Sequence, residues 1–222
     1  HPRVRRQRQM CIRDRMYKLA SATRTGGGLL DNCGPWQVLT PWPNAWWNLN
    51  VQLSYWSVYP SNRLELGMPL VDAIGNNLDN LINNVPEPYR KDAAALPVAT
   101  DFTLTGATVN VPGTEKKAQV GNLTWICHNL WLQYRFSMDE SILRNTLYPT
   151  LRRAVNFYLP FLTEDKSGKL HLKRTYSPEY GTAEDCNYDI ALLRWGCNTL
   201  LEASRILSVD DELIPRWKQV AE

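Results

Sequence analysis

The chain has 222 residues, of which 44% are hydrophobic, so it is long enough to bury a core of its own. No run of about 18 consecutive apolar residues occurs, which excludes a predicted membrane-spanning helix. The formal charge of +3 comes from the first fifteen residues, because the remainder carries 19 Lys and Arg against 21 Asp and Glu, a net −2. A nearly neutral chain without a basic stripe does not indicate nucleic acid or an anionic membrane as a partner.

Residues 1–15 read HPRVRRQRQMCIRDR and contain almost nothing apolar to bury. They do not form a signal peptide, because no hydrophobic run follows the charges. Residues 5–15 resemble the translation of a transposon-type sequencing adapter read in frame. We therefore expect residues 1–15 to be a read-through artefact and residues 16–222 to be the protein domain. The alternative is a basic arm that binds nucleic acid.

The aromatic content is the unusual part of the composition, with nine tryptophans and ten tyrosines. Aromatic rings have flat apolar faces and polar tips, which suits sugar binding, although most rings in any fold lie in the core or at its rim. The five cysteines show no CxxC or CxxH spacing, so we predict neither a zinc site nor another cofactor. Cys127 and Cys197 are expected to be small buried residues, and a pairing of Cys33 with Cys186 stays open.

The first predicted helix follows a loop rich in Gly, Pro and Trp, and Leu49, Leu53 and Trp56 recur in it at i, i+4 and i+7. Asn48 and Asn50 precede this pattern. Residues two apart point the same way in an extended segment but nearly opposite ways on a helix. Both amides can therefore serve one site if they lie before the helix or in its first turn, with Asn50 as the N-cap. In the alternative, Asn50 only caps the helix and Asn48 faces water.

A second helix is predicted at residues 64–82, where an apolar residue returns at each turn, and it forms an antiparallel hairpin with the first. Residues 83–120 interrupt the helices. Within them, residues 102–104 and 108–111 are predicted to pair as a short β-hairpin. A long excursion of this kind is often a lid or a wall of a binding site, and a disordered surface loop is the alternative.

Helical periodicity returns at residues 121–137, which read GNLTWICHNLWLQYRFS. Trp125, His128 and Leu132 share one face of this helix. A histidine beside tryptophans is more often structural than catalytic, but it can also bind a sugar hydroxyl in an aromatic pocket. Residues 139–162 carry a further apolar stripe that continues past Pro149 and is predicted to be core.

A turn at residues 166–169 leads into the segment TYSPEYG, which contains Glu179. The preceding proline restricts the backbone and the glycine two residues later permits a sharp bend, so we expect a rigid loop. Between Tyr176 and Tyr180 the Glu179 carboxyl is expected to be partly desolvated, which suits a proton donor. The alternative is an exposed loop carboxylate. Two more helices are predicted to begin at Asp185 and Asp211.

Successive amphipathic helices joined by loops, with strands confined to insertions, predict an all-α fold. Their pairing suggests concentric helical hairpins, that is, an α/α toroid with the site in the loops at one end. Periodicity alone does not separate this architecture from a solenoid or a bundle.

Three segments resemble, in their order, parts of glycoside hydrolase family 95, the inverting α-L-fucosidase group. WWNLNVQLSYW is similar to the Asn-x-Asn segment of that family, GNLTWICHNLW to its helix with Trp and His, and TYSPEYG to its Ser-Pro-Glu loop. The resemblance covers residues 29 to about 207. It implies an (α/α)6 barrel, here a partial barrel with a small β-hairpin insertion, of which the chain holds roughly the first half and lacks the C-terminal part.

The resemblance also implies roles for individual residues. Glu179 corresponds to the general acid, Asn48 and Asn50 to the amides that orient the attacking water, and Trp125 and His128 to the lining of the sugar subsite. Inverting glycosidases use two carboxyl groups about 6.5–9.5 Å apart, one as acid and one as base. Because an amide is too weakly basic to take the proton, the base is implied to be an aspartate in a later segment.

Two positions depart from the family pattern. Trp46 stands where the family commonly has a histidine that contacts the sugar, and Ser54 replaces a common asparagine. The choice between L-fucose and L-galactose, which differ by a hydroxyl on the C6 methyl, therefore stays open.

The function that the resemblance implies is removal of a terminal α-L-fucosyl or α-L-galactosyl residue from a carbohydrate substrate, with inversion. The chain by itself is expected to be inactive, and the whole protein is expected in the periplasm or outside the cell. The alternative is a noncatalytic carbohydrate-binding or scaffold protein with an α/α toroid fold.

Overall fold

The structure, a computed structural model, describes residues 2–30, 42 and 44–222. Most of these residues are helical, in agreement with the predicted all-α class. The helices are α1 (Pro2–Ala22), α2 (Asn50–Trp56), α3 (Met68–Asn76), α4 (Leu78–Asn83), α5 (Asn122–Ser137), α6 (Glu140–Ile142), α7 (Tyr148–Tyr158), α8 (Asn187–Leu207) and α9 (Ile214–Ala221). Shorter helical turns are Leu64–Gly67, Glu87–Asp92, Leu143–Leu147 and Leu159–Phe161.

The strands are short and form separate antiparallel pairs. They are β1 (Ala45–Trp46), β2 (Ala99–Thr100), β3 (Leu162–Glu164), β4 (Leu170–Leu172), β5 (Thr175–Ser177) and β6 (Gly181–Ala183). β1 pairs with β2 across a long stretch of chain, whereas β3–β4 and β5–β6 are local hairpins. The described strands are therefore short additions to a helical domain and do not form a sheet layer.

Helices α2 and α5 lie side by side and run in the same direction. The side-chain Nδ2 of Asn129 donates to the carbonyl of Gln52 over 2.9 Å. Beyond the end of α2, the ring of Tyr59 lies 6.4 Å from that of Phe136. From the first contact to the second, both chain segments run toward their C-terminal ends. The N-terminal ends of α2 and α5 therefore lie at the same end of the domain.

Helix α8 extends this arrangement on the other side of α5. The rings of Trp125 and Tyr188 are 5.8 Å apart near the beginnings of the two helices, and the ion pair of Arg135 with Glu202 spans 3.4 Å near their ends. At the N-terminus of α5 a side chain on Gly121 would come within 2.5 Å of the Tyr188 ring. Helices α2, α5 and α8 thus form a parallel layer with their N-terminal ends together.

Helix α7 packs against α5 and α8 and runs antiparallel to them. The Tyr158 hydroxyl at its end donates to Asp189 at the beginning of α8 over 2.9 Å, and the Ser204 hydroxyl near the end of α8 donates to Tyr148 at the start of α7 over 3.3 Å. Helix α9 packs along α8. These pairings agree with the predicted helical hairpins, while closure into a toroid stays a prediction.

Several predicted elements differ in the structure. The loop predicted at residues 16–45, before the Asn pair, begins as helix, because α1 continues to Ala22 and places Leu19 in the core. The second predicted helix is divided into α3 and α4 at Asn77, whose side chain donates to the carbonyl of Ala73. Cys33, with its open pairing, lies outside the described residues.

The β-hairpin predicted at residues 102–111 does not form, so the predicted insertion is wrong in that place. One carboxylate oxygen of Asp101 accepts from the backbone N–H groups of Thr103 and Thr105, and this folds the segment into a tight turn. Asp side chains favour such turns over strand pairing. The described hairpins instead lie in residues 162–183.

The apolar stripe that indicates α2 does not form its buried face. Leu49, Leu53 and Trp56 are all more than two-fifths exposed, whereas Val51 and Tyr55 are buried against α5 and the chain after α1. Two stripes of helical spacing exist in this segment, and periodicity alone does not decide which of them packs inward.

The remaining core predictions are confirmed. Cys127 and Cys197 are fully buried, and the apolar stripe of α7 lies in the core. Asp139 caps α6 by accepting from the backbone N–H of Ser141. Within the described ranges, no helix combines the length and apolarity that a membrane span requires.

Candidate active site

The loop that carries Asn48 and Asn50 is fixed by the buried residue before it. The backbone N–H of Trp47 donates to the carbonyl of Val98 over 2.8 Å, and its indole Nε1 donates to the Thr100 hydroxyl over 2.8 Å. The side chain of Trp47 is fully buried. Strand β1 therefore enters α2 in one defined direction.

Asn48 is half-buried in the turn between β1 and α2, and Asn50 is the exposed first residue of the helix. The prediction that Asn50 is the N-cap is wrong, because Leu49 occupies that position and no side chain caps α2. Within the described part of the chain neither side-chain amide has a hydrogen-bond partner. Both amides are therefore available to a ligand or to water.

Gln52 and Asn129 support this loop and were not predicted from the sequence. The Gln52 side chain donates from Nε2 to the backbone carbonyl of Trp47, and the backbone carbonyl of Gln52 accepts from Nδ2 of Asn129. Both side chains are fully buried. Amides inside otherwise apolar helical patterns are the sequence signal that could have pointed to them, since buried polar groups need partners.

Trp125 and His128 lie on the half-buried face of α5, each beside an aromatic ring of α8. Trp125 meets Tyr188 edge to face, and the His128 ring lies 5.2 Å from that of Trp195. Burial lowers the pKa of His128, so the imidazole is neutral at neutral pH and can both donate and accept a hydrogen bond. Tyr188 and Trp195 extend the predicted aromatic subsite, and only the packing of α5 on α8 identifies them.

Trp46, the position that departs from the family pattern, is half-buried in β1. Its ring lies edge to face with Trp42 at 4.8 Å. This position presents an aromatic surface directly before the Asn pair.

Glu179 lies in the turn of the β5–β6 hairpin. The turn is closed by a hydrogen bond from the Tyr180 N–H to the carbonyl of Ser177 over 3.1 Å, and Glu179 itself has a left-handed backbone with φ of 59°. Such a conformation is uncommon outside glycine and persists when the surrounding structure enforces it. The rigid loop predicted around Glu179 is therefore present as a tight hairpin.

Of the two alternatives for Glu179, the structure shows the exposed loop carboxylate, and the partial desolvation expected from the neighbouring tyrosines is wrong. The carboxylate is exposed, and the Tyr180 ring points into solvent with 94% of its surface exposed. The ring of Tyr176 instead lies under the ammonium group of Lys117 at 4.8 Å. Tyrosines adjacent in sequence cannot shield a carboxylate when the turn directs them away from it.

The predicted site residues come from three places that lie at one end of the domain. The Asn pair precedes α2, Trp125 and His128 lie in the first two turns of α5, and the Glu179 hairpin precedes α8. Because these three helices are parallel, the elements that precede them share one end of the layer. The arrangement combines amides, aromatic rings and a carboxylate, which are the groups that bind a sugar and protonate a leaving oxygen.

Two other features lie outside this arrangement. A cavity of about 430 Å³ between the β3–β4 hairpin, α8 and α9 contains none of the predicted site residues. Among the residues that the structure describes, no cluster of three His, Cys, Asp or Glu is placed to hold a metal ion.

The sequence was compared with known proteins. The model of the family described as "Glycosyl hydrolase family 95 catalytic domain" matches residues 15–222. The chain is 26% identical to Alpha-L-fucosidase 2 of Arabidopsis thaliana over 212 residues, which cover 89% of this chain and 25% of that protein. It is 25% identical to Probable alpha-fucosidase A of Aspergillus niger over 137 residues, which cover 60% of this chain and 17% of that protein.

The chain spans about a quarter, or less, of the length of these curated relatives. The family match, by contrast, extends over nearly the whole chain. On that match, the chain belongs to glycosyl hydrolase family 95 and lies within the catalytic domain of the family.

Proposed function

We propose that the protein is an inverting glycoside hydrolase that removes a terminal α-L-fucosyl, or α-L-galactosyl, residue from an oligosaccharide or polysaccharide. The observation that carries the proposal is the gathering of the three motif segments at the N-terminal ends of α2, α5 and α8. The family membership and the names of the two relatives support a hydrolase of fucosidase type.

In the proposed reaction Glu179 donates its proton to the glycosidic oxygen as the bond to the leaving sugar breaks. Its position in the turn of the exposed β5–β6 hairpin supports this role, and in the proposal the hairpin brings the carboxyl to a substrate bound against the helix ends. Asn48 and Asn50 hold the attacking water on the opposite face of the ring. A carboxylate from a segment outside this chain takes the proton of that water, because an amide is too weakly basic.

The sugar is proposed to bind against the aromatic residues between these two groups. The C6 methyl of fucose packs on an indole such as Trp125, and the neutral imidazole of His128 exchanges hydrogen bonds with a ring hydroxyl. Trp46 replaces a polar sugar contact with an aromatic surface, so we propose that it decides between a methyl and a hydroxymethyl at C6.

The second candidate is a carbohydrate-binding protein without catalytic activity. The exposure of Glu179 favours it, since a general acid is usually kept protonated by a desolvated environment. In this case the aromatic residues still bind sugar, but the carboxylate has no role in bond cleavage. For either function we propose a location in the periplasm or outside the cell.

The test is hydrolysis by the complete gene product, compared with its Glu179→Gln variant. Substrates are a natural α-L-fucosylated oligosaccharide and its α-L-galactosyl analogue, together with the activated aryl glycosides. We expect the parent to cleave one natural sugar and the variant to lose roughly 10²- to 10⁴-fold of that rate, the usual contribution of general acid catalysis. Proton NMR of the first product reports inversion.

The outcomes separate the two candidates. Cleavage that depends on Glu179 supports the enzyme, and the preferred substrate identifies the sugar. A protein that binds the sugars but cleaves neither, with parent and variant binding equally, contradicts the enzyme and supports the binding protein.

A further inference from the structure

The position of Glu179 depends on how the two ends of the β5–β6 hairpin are held. Among the described residues, the Glu179 carboxylate has no hydrogen bond or ion pair of its own. Its backbone is fixed only by the turn and by the strand pairing behind it. Whatever anchors the two strands therefore sets where the proposed proton donor points.

The first strand is anchored by backbone and buried contacts. The N–H of Tyr176 donates to the carbonyl of Ala118 over 3.0 Å, and Thr175 is fully buried at the base of α8. The N–H of Gly113 also donates to the carbonyl of Arg174 over 2.7 Å. This end of the hairpin is thereby joined to the segment that precedes α5.

The second strand is joined to β4 at Asp185, two positions beyond the end of β6. Its N–H donates to the carbonyl of Leu172 over 3.0 Å, and its Oδ1 accepts from the N–H of Leu172 over 2.8 Å. Its Oδ2 lies 2.6 Å from Nδ1 of His171. Three contacts with the neighbouring strand β4 thus meet at one residue, which has a left-handed φ of 51°.

The charges around His171 strengthen this contact. Its Nε2 lies 3.4 Å from the carboxylate of Asp165, and the hydrogen bonds to Asp185 and then to Asp165 raise the pKa of the imidazole. Burial of Asp185 opposes its ionisation, but the hydrogen bonds from His171 and from the Leu172 N–H lower its pKa overall, and Lys169 adds to this effect. The imidazolium of His171 and the carboxylate of Asp185 are therefore both charged over a range of pH.

We propose that His171 and Asp185 are positioning residues that hold the Glu179 hairpin in the orientation from which the carboxyl reaches the glycosidic oxygen. The inference rests on the proposed function, in which Glu179 is the general acid. In this role neither residue needs to contact the substrate. Without the contact of His171 with Asp185, only the two hydrogen bonds between Asp185 and the Leu172 backbone hold the end of β6 to β4, so this end and the tip of the hairpin move more.

The sign of the pH dependence follows from the two shifts. Because the pKa of His171 is raised, its contribution to the stability of the contact is complete below the ordinary histidine pKa. This contribution is lost as the pH rises through the raised pKa. Because the pKa of Asp185 is lowered, its contribution to the stability of the contact is present above the ordinary aspartate pKa. This contribution is lost as the pH falls through the lowered pKa. The contact is strongest between about pH 4 and 6.5.

The experiment uses the complete gene product with two substrates that differ in their need for acid. A natural fucosylated oligosaccharide needs a proton on its leaving oxygen, whereas α-L-fucosyl fluoride or an activated aryl fucoside needs little. We expect His171→Ala to lower kcat on the oligosaccharide about tenfold, since misplacement of a catalytic group by a fraction of an ångström is costly. On the activated substrate the change is expected to stay below about twofold.

Two matched variants separate positioning from general damage. His171→Asn keeps a donor near the position of Nδ1 but cannot titrate, so it is expected to recover most of the oligosaccharide rate and to lose the decline at higher pH. Asp165→Asn removes the charge on the other side of the imidazole, while its Oδ1 still accepts from the turn at Ser167 and the contact of His171 with Asp185 remains. The ratio of the oligosaccharide rate to the activated-substrate rate is therefore expected to stay near that of the parent below about pH 6.5, and its decline at higher pH is expected to begin at a lower pH.

Hydrogen exchange of residues 173–186 supplies a readout that is independent of activity. The inference requires faster exchange there in His171→Ala, with unchanged exchange in α5 and α7. Equal losses on both substrates, or unchanged exchange in the hairpin, overturn it. A parent that cleaves neither substrate contradicts the proposed function, and the exchange result then still decides whether His171 anchors the hairpin.

Discussion

The loop that carries the two asparagines and the hairpin that carries Glu179 are held by different kinds of group. Around the asparagines the supporting side chains are Trp47, Gln52 and Asn129, which are buried and uncharged. Around the hairpin the supporting side chains include His171 and Asp185, which titrate and are partly exposed. Asp189 lies beneath the base of the same hairpin and is also ionisable.

This difference separates the responses of the two halves of the proposed site. Neutral buried hydrogen bonds change little with pH or salt, whereas contacts between charged groups depend on both. We therefore expect the loop that carries Asn48 and Asn50 to keep its geometry over a broad pH range. The position of Glu179, the proposed proton donor, is expected to change within that range.

The largest expected effect comes from removal of Trp47. Trp47→Ala leaves a cavity at a fully buried position and removes the hydrogen bond to Thr100, so the free energy of unfolding is expected to fall by about 3–5 kcal/mol. Urea denaturation of the parent and the variant at pH 5 and pH 8 measures the loss. Because no charged group is removed, the loss is expected to be equal at both pH values.

Trp195→Ala is the matched control for this prediction. The ring of Trp195 is half-buried, so the same substitution removes less buried surface and is expected to cost less. If the loss of unfolding free energy in Trp47→Ala differs by more than about 1 kcal/mol between the two pH values, the support of the loop that carries Asn48 and Asn50 depends on pH. That result contradicts the prediction.

A smaller and pH-dependent effect is expected at Asp189. Burial raises the pKa of this carboxyl from its ordinary value of 3.8 to about 6, and the hydrogen bond from the Tyr158 hydroxyl opposes the shift. The folded state therefore holds the proton more tightly than the unfolded state. The contribution of Asp189 to stability is lost as the pH rises from about 4 to 6, by about 3 kcal/mol in total.

Asp189→Asn removes this titration while it keeps an acceptor for Tyr158. The difference in unfolding free energy between variant and parent is expected to move in favour of the variant as the pH rises through this range. Asp211→Asn is the control of opposite sign: burial opposes its ionisation, but its contacts with Arg152 lower its pKa overall. A difference for Asp189→Asn that does not change with pH contradicts the titration of this group.

The sequence predicted the helices better than it predicted their surroundings. Helices α5 and α8 are long amphipathic segments with clear ends, and their buried residues follow the helical period. The residues after Asp101 are predicted to form a strand because their apolar side chains alternate, but no strand forms there. One carboxylate, which binds two backbone N–H groups, outweighs that pattern.

The site shows the same limit. The family resemblance of the three motif segments names Asn48, Asn50 and Glu179 as candidates, and the parallel packing of the helices brings their loops to one end. Tyr188 and Trp195 were not predictable, because they lie beside Trp125 and His128 only through the packing of α8 on α5. The exposure of Glu179 was one of two alternatives that the sequence left open, since the direction of a side chain at a hairpin turn depends on backbone angles that the sequence does not specify.

The smallest expected effect concerns residues 1–15, which support neither half of the site. The side chains of residues 3–15 are exposed along α1, and the packing of this helix begins with Met16 and Leu19. Deletion of residues 1–15 is therefore expected to change the free energy of unfolding by less than about 0.5 kcal/mol and to leave both substrate rates unchanged.

Deletion of residues 1–22 is the control, because it also removes the buried Leu19 and is expected to destabilise the chain around Tyr55. A loss above about 1 kcal/mol for the shorter deletion contradicts the prediction that these residues are foreign to the fold. Binding of duplex DNA that disappears with the same deletion, and weakens steeply with salt, supports the basic arm instead.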